Sequence, residues 1–308
     1  MTLISLVLAL VLEQVRPVPY RYLVELPLDR LSTWLEGRLN AGERGQGMLA
    51  WGLAVLLPTI LVLLIDRMAS WVHPLLSMAF SVFCLYMTMG FRHFSHYFTD
   101  IQMALRMGEL AHARHLLYQW TGRDAESLGS RDIARLAIEQ ALIDSYRHVF
   151  ALSFWYVVLP GPAGVVLYRL AEHFGRRWRE DGGSEFAAFG EFARRALALL
   201  DWPAVRVTAA CFAIVGDFED AVYCLRTQAA RWPEAAFGIL IASGAGAMGV
   251  RLGLPVERSG EITDRPEIGL GDEADVEFMQ SAVGLVWRTL LLILLLLGLV
   301  GIAGWVSR

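Results

Sequence analysis

Residues 289–307 read TLLLILLLLGLVGIAGWVS, a run without a single charged side chain, closed by Arg288 and Arg308, with Trp287 and Trp305 near its two ends. A helix needs about 20 apolar residues to cross the hydrocarbon of a bilayer, and tryptophan with arginine at its ends is the usual interfacial anchor. The chain must therefore solve the solvation problem of a membrane protein. Three further stretches free of Asp, Glu and Arg are long enough to test the same way: 45–65, 68–91 and 149–168. Hydrophobic residues make up 56% of the 308 positions, in line with that requirement.

Charge excludes one class of partner. The net charge is −4, and all 27 basic residues are arginines dispersed among carboxylates, so there is no electrostatic footprint for nucleic acid. The same arginines orient the chain. Five lie between Glu13 and Gln46 and seven from Arg92 to Arg147, against Arg67 alone between the second and third apolar stretches. The positive-inside tendency places the arginine-rich flanks in the cytoplasm and a short Arg67 turn outside. A full crossing at 149–168 would then send Arg169, Arg176, Arg177, Arg179, Arg194 and Arg195 outside. That stretch has Leu159-Pro160-Gly161-Pro162-Ala163-Gly164 at its centre, which breaks a helix. A re-entrant hairpin resolves the conflict; a kinked span is the alternative.

The expected architecture is all-α: a polytopic helical membrane protein with a broken or re-entrant membrane segment and amphipathic cytoplasmic helices. Its parts are N-terminal membrane helices over 1–91, a cytoplasmic helical segment over 92–148 and the broken segment over 149–170. A cytoplasmic or membrane-associated helical segment over 171–283 and a C-terminal transmembrane helix over 284–308 follow. Within 92–148, Ile133, Leu136, Ala137, Gln140, Ala141 and Asp144 recur at helical spacing behind Ser130, a plausible cap. Residues 235–250 are apolar and glycine-rich, long enough for a buried helix packed through small residues but short for a span.

Chemical motifs are sparse. Cys84, Cys211 and Cys224 have no metal-site spacing and read as small core residues. His93, His96 and Asp100 share a helical face, yet no fourth ligand is obvious and no metal is assigned. Gly244-Ala245-Gly246 and Gly269-Leu270-Gly271 match no phosphate-loop pattern. The densest charge cluster is Arg123, Asp124, Arg131, Asp132, Arg135, Glu139 and Asp144, with Arg135 and Glu139 one turn apart. It reads either as an ordinary solvated surface or as the lining of a pocket whose arginines hold an anion.

Several segments resemble the CobD/CbiB cobalamin-biosynthesis family in order. They are Gly108-Glu109-Leu110, Ala113-Arg114 and Gly122-Arg123-Asp124; the helix 133–139 with Arg135 and Glu139; and Phe154-Trp155, Pro160-Gly161 and Tyr168-Arg169. Residues 247–253 and 265–269 continue the series. Resemblance to its synthases implies joining an aminopropanol unit to a corrinoid carboxylate with ATP and magnesium. Ile143-Asp144, Arg147-His148 and 172–175 depart from the synthase pattern. The opening helix to Glu13, the run Leu200 to Arg206 and the terminal helix resemble the AmpE branch instead.

The AmpE resemblance implies a multi-pass regulatory protein or sensor of the bacterial inner membrane. It would modulate a cell-wall stress or β-lactamase response through a pocket lined by Arg123, Asp124, Arg135, Glu139, Asp201 and Arg206. The partners implied are the lipid bilayer, a small anionic ligand and a membrane or signalling protein. Under the alternative the chain is an ATP- and magnesium-dependent amide-forming synthetase, with Glu139 and Asp124 on the metal and the arginines on phosphate. The lost synthase positions favour the regulatory reading, and no catalytic residue is assigned.

Overall fold

The computed structural model describes residues 2–16, 21–40, 43–180, 188–258, 261–263 and 265–306. They are almost entirely helical, and contacts divide them into two compact units: Met1–Gly90 with His148–Ala204, and Phe91–Arg147 with Val205–Arg308.

In the first unit, α1 (Thr2–Val15) and α2 (Leu26–Leu39) precede a continuous helix α3 (Arg44–Val72). Sequence reasoning expects a turn at Arg67, but α3 runs through Asp66 and Arg67 to the His73-Pro74 step. Asp66 is accommodated because Ser77 donates its hydroxyl to Asp66 Oδ1 at 2.7 Å. Proline at the first helical position and His73 Nδ1, which accepts from Leu75 N–H at 3.2 Å, then start α4 (Pro74–Thr88). Its 15 residues span about 22 Å, short of a full crossing.

The proline-glycine segment is broken, as the sequence predicts. Helix α5 (Ala151–Val158) ends at Leu159, Gly161 takes φ +54°, and α6 (Pro162–Glu180) folds back on α5. A Cβ on Gly164 would lie 2.1 Å from the Trp155 carbonyl oxygen, so only glycine permits this approach. Leu35, Trp51, Val55, Phe174, Trp178 and Phe189 form the core between α2, α3 and α6, and Trp178 Nε1 donates to Ser32 Oγ at 3.0 Å.

Helix α7 (Glu191–Val215) carries charge yet has a window apolar enough to cross a membrane, which the charge-free criterion misses. Its Asp201 is buried because it accepts the Tyr168 hydroxyl at 2.9 Å.

In the second unit, α8 (Phe91–Arg106), α9 (Leu110–Thr121) and α10 (Ser130–Ser145) pack together. Gly129, rather than Ser130, is the N-cap of α10, and Asp132 reaches back to accept the Gly129 N–H at 3.3 Å. Helix α11 (Phe218–Thr227) lies against α12 (Ala235–Met248) so closely that a Cβ on Gly246 would meet the Asp220 carbonyl at 2.5 Å. Small residues thus serve close helix packing. The final helix, α13 (Val276–Val306), buries Met279, Ala282, Leu285 and Leu290 and exposes Leu291, Leu295, Leu299, Val300 and Ile302. The 44–72 helix is similarly apolar outward at Leu53, Leu57, Ile60, Leu61, Leu64 and Met68. Water would not tolerate such continuous apolar faces, and lipid does. The three cysteines are buried and free; burial pushes the Cys224 thiol up to about 11, aided by Asp220.

Candidate functional site

The site is built where α10 meets the glycine-rich chain that follows α12. Gly249 (φ +66°) lets the chain leave α12 in a left-handed turn, and strand β1 (Val250–Arg251) follows. It pairs in parallel with a two-residue strand, Asp272–Glu273, while Leu252 and Ile268 exchange backbone hydrogen bonds of 2.7 and 2.9 Å. Two glycine-bearing segments, 249–253 and 265–271, are thus stitched side by side. The closeness is severe: a Cβ on Gly253 (φ +76°) would lie 2.2 Å from the Pro266 carbonyl.

Side chains clamp this platform from two helices. Gln228, just past α11, accepts the Gly269 N–H at 2.6 Å and donates to the Gly269 carbonyl at 3.4 Å. Glu139, 4% exposed on α10, accepts the Gly253 N–H on Oε1 at 2.9 Å and binds the Arg265 guanidinium through Oε2. The Arg265 guanidinium also lies over the Trp232 ring, its carbon 4.9 Å from the ring centroid. One turn earlier on α10, Arg135 is 6% exposed and donates to Asp132 at 2.7 Å and to the Pro255 carbonyl at 3.3 Å. Arg251 pairs with Glu267 at 3.3 Å and Glu273 at 3.9 Å, and Glu273 also takes Arg131 at 3.2 Å.

This layer has more donors than its carboxylates use. Arg135 Nε, Arg251 Nε and Arg265 Nη1 are buried with no hydrogen-bond acceptor among the described residues. A buried guanidinium N–H without a partner costs free energy, and a bound oxyanion removes that cost. Magnesium fits less well. Both Glu139 oxygens are engaged, and among the described residues no group of three His, Cys, Asp or Glu side chains is placed for a metal ion. The expectation that Glu139 holds magnesium is therefore set aside: its carboxylate is neutralised by Arg265.

The structure brings Arg135 and Glu139 together and adds Arg251 and Arg265, which sequence reasoning did not assign. The positive-φ glycines around both, at Gly249, Gly253, Gly269 and Gly271, were the available signal. Arg123 and Asp124 sit on the turn after α9. Asp124 Oδ1 accepts the Glu126 N–H at 3.1 Å and lines an open cavity of about 650 Å³ with Arg114, His115 and Tyr118. The described lining of that cavity includes neither Arg135 nor Glu139. Asp201 belongs to the first unit with Tyr168, and Arg206 is exposed on α7.

A family model described as CobD/Cbib protein matches residues 6–286. A protein of Stutzerimonas stutzeri named cobalamin biosynthesis protein CobD is 34% identical over 259 residues, covering 84% of this chain and 83% of its own length. Proteins of the same name from Chromobacterium violaceum (34% identical, 70% of this chain and 68% of theirs) and Leptospira interrogans (25%, 74% and 74%) are also similar. No solved structure matches. These relatives overturn the regulatory, AmpE-type expectation. The likeness to biosynthetic proteins runs over most of the chain.

Proposed function

The chain belongs to the CobD/CbiB family, and from that premise we propose that it is a membrane-bound, amide-forming synthetase of cobalamin biosynthesis that joins an amine to a corrinoid carboxylate using ATP. The observation that carries this reading is the set of three buried guanidinium N–H groups, on Arg135, Arg251 and Arg265, which have no acceptor among the described residues and lie beside a glycine platform. Making an amide from a carboxylate requires conversion of a carboxylate oxygen into a leaving group, and ATP supplies it. Fixed arginines aimed at a phosphate stabilise the charge that develops there, and they do so without reorganising. Glu139 touches no substrate in this scheme; it positions Arg265 and the Gly253 backbone. Magnesium accompanies the nucleotide rather than a protein cage.

In this proposal the chain is a multi-pass protein of the bacterial inner membrane that crosses at 44–72, 191–215 and 276–303, with the α5–α6 hairpin as a re-entrant element; the length and apolarity of those three helices support it. Lipid and a small anionic substrate are its partners. Calorimetry of the detergent-purified protein with Mg-ATP tests the site. Saturable binding is expected, weakened at least tenfold in Arg251→Gln, since one charge-assisted hydrogen bond is worth about 1.5–3 kcal/mol. Unchanged affinity in that variant would remove these arginines from nucleotide binding, and an absence of binding would overturn the ATP-dependent reading.

A further inference from the structure

Asp66 is the single carboxylate in the helix 44–72, which is apolar enough to cross a membrane, and Leu64, Ile65 and Met68 beside it are exposed apolar residues. A charge in that setting is costly and calls for compensation. Ser77 of α4 supplies part of it, donating to Asp66 Oδ1 at 2.7 Å. The other oxygen, Oδ2, takes no hydrogen bond among the described residues. Asp66 forms no ion pair among them either, although Arg67 is next in the chain. One hydroxyl does not neutralise a carboxylate.

The break between α5 and α6 lies against that second oxygen. A Cβ added to Gly161, at the tip of the hairpin, would find Asp66 Oδ2 at 3.8 Å and Ser81 Oγ at 3.9 Å as its nearest atoms. Those are ordinary van der Waals distances, so a gap of atomic size opens there, and both of its nearest neighbours are oxygens. Ser81 is 6% exposed, and its hydroxyl is hydrogen-bonded to Tyr156 of α5, which also bonds Ser5 of α1. Packed elements on four sides thus fix the gap. A polar gap of this kind holds a water or an ion rather than a void. The N-terminus of α6 offsets the Asp66 charge only in part. Its first residue, Pro162, has no N–H to offer, and no N–H of the tip donates to Asp66 among the described residues.

We propose that this gap binds a monovalent metal cation, sodium, on Asp66 Oδ2 and the Ser81 hydroxyl, with backbone oxygens of the hairpin tip and water completing its shell. Oxygen ligands suit a hard cation, and a helix broken at membrane depth is where backbone oxygens become available to one. A single carboxylate among hydroxyls balances one positive charge. Among the described residues no group of three His, Cys, Asp or Glu side chains is placed for a more highly charged ion. The bound ion ties α3 and α4 to the hairpin tip, so it stabilises the packing of the first unit. The inference does not depend on the nucleotide site of the second unit.

The test is the thermal unfolding midpoint of the full-length protein in nonionic detergent, without nucleotide, as sodium chloride replaces choline chloride at constant ionic strength. Sodium is expected to raise the midpoint saturably, by about 3 °C or more at saturation, because an ion that binds only the folded state stabilises it by mass action. Asp66→Asn is expected to abolish the rise. Ser81→Ala keeps the charge and is expected to move the half-saturating sodium concentration up at least tenfold, which keeps the test readable if the asparagine variant does not fold. The proposal is overturned by equal midpoints in sodium and choline, by a rise that does not saturate, by a sodium response that either variant leaves unchanged, or by magnesium raising the midpoint where sodium does not.

Discussion

Replacing Glu139 with alanine is expected to lower folding stability by about 3–5 kcal/mol, because it leaves the Arg265 guanidinium buried without a counter-charge. The same change strips the Gly253 N–H of its acceptor. Thermal unfolding in detergent reads the loss. Glu139→Gln is expected to fall between alanine and wild type, since an amide oxygen still accepts from Gly253 but no longer neutralises Arg265. The double variant Glu139→Leu with Arg265→Met is expected to regain much of the stability, as buried pairs replaced by apolar groups of similar volume often do. It is not expected to regain nucleotide binding. That separation distinguishes a network kept for its guanidinium donors from one kept for stability.

The second large effect lies in the first unit. Arg169→Met is expected to destabilise by about 3–5 kcal/mol, as it removes the donors to the Thr88 carbonyl at the end of α4 and takes one guanidinium from the buried Glu172 carboxylate. Arg169→Lys is expected to recover little. A lysine ammonium cannot serve Thr88, His148 and Glu172 from the fixed fork of a guanidinium. Tryptophan fluorescence during unfolding follows the change through Trp178, whose indole is tied to Ser32. A variant as stable as wild type would show that the Arg169 network carries no weight in the fold.

Sequence patterns of local origin were legible. The terminal apolar helix, the break at Leu159 to Gly161, the buried small-residue helix 235–248 and the helical face shared by Arg135 and Glu139 all follow from short-range rules. What escaped depends on distant partners. Asp66 looked like a helix end because its partner Ser77 was invisible, and Asp201 disqualified a helix that Tyr168 makes tolerable. Glu139 read as a surface charge or a metal ligand because Arg265 lies 126 residues away. Counting lost synthase positions led toward a regulatory role for the same reason: the positions that complete the Arg135 and Glu139 network, at Arg251, Gly253 and Arg265, carry no motif by themselves.

Under the proposed function this chain makes an amide from a corrinoid carboxylate and an amine with ATP. Mass spectrometry of the corrinoid, after incubation with the purified protein, an aminopropanol compound, ATP and magnesium, tests it most directly. The account predicts a product heavier by the mass of the amine less one water, formed only with ATP, accompanied by nucleotide cleavage and sharply reduced in Arg251→Gln. An unchanged corrinoid at saturating ATP, from protein that is folded and monodisperse, would contradict it.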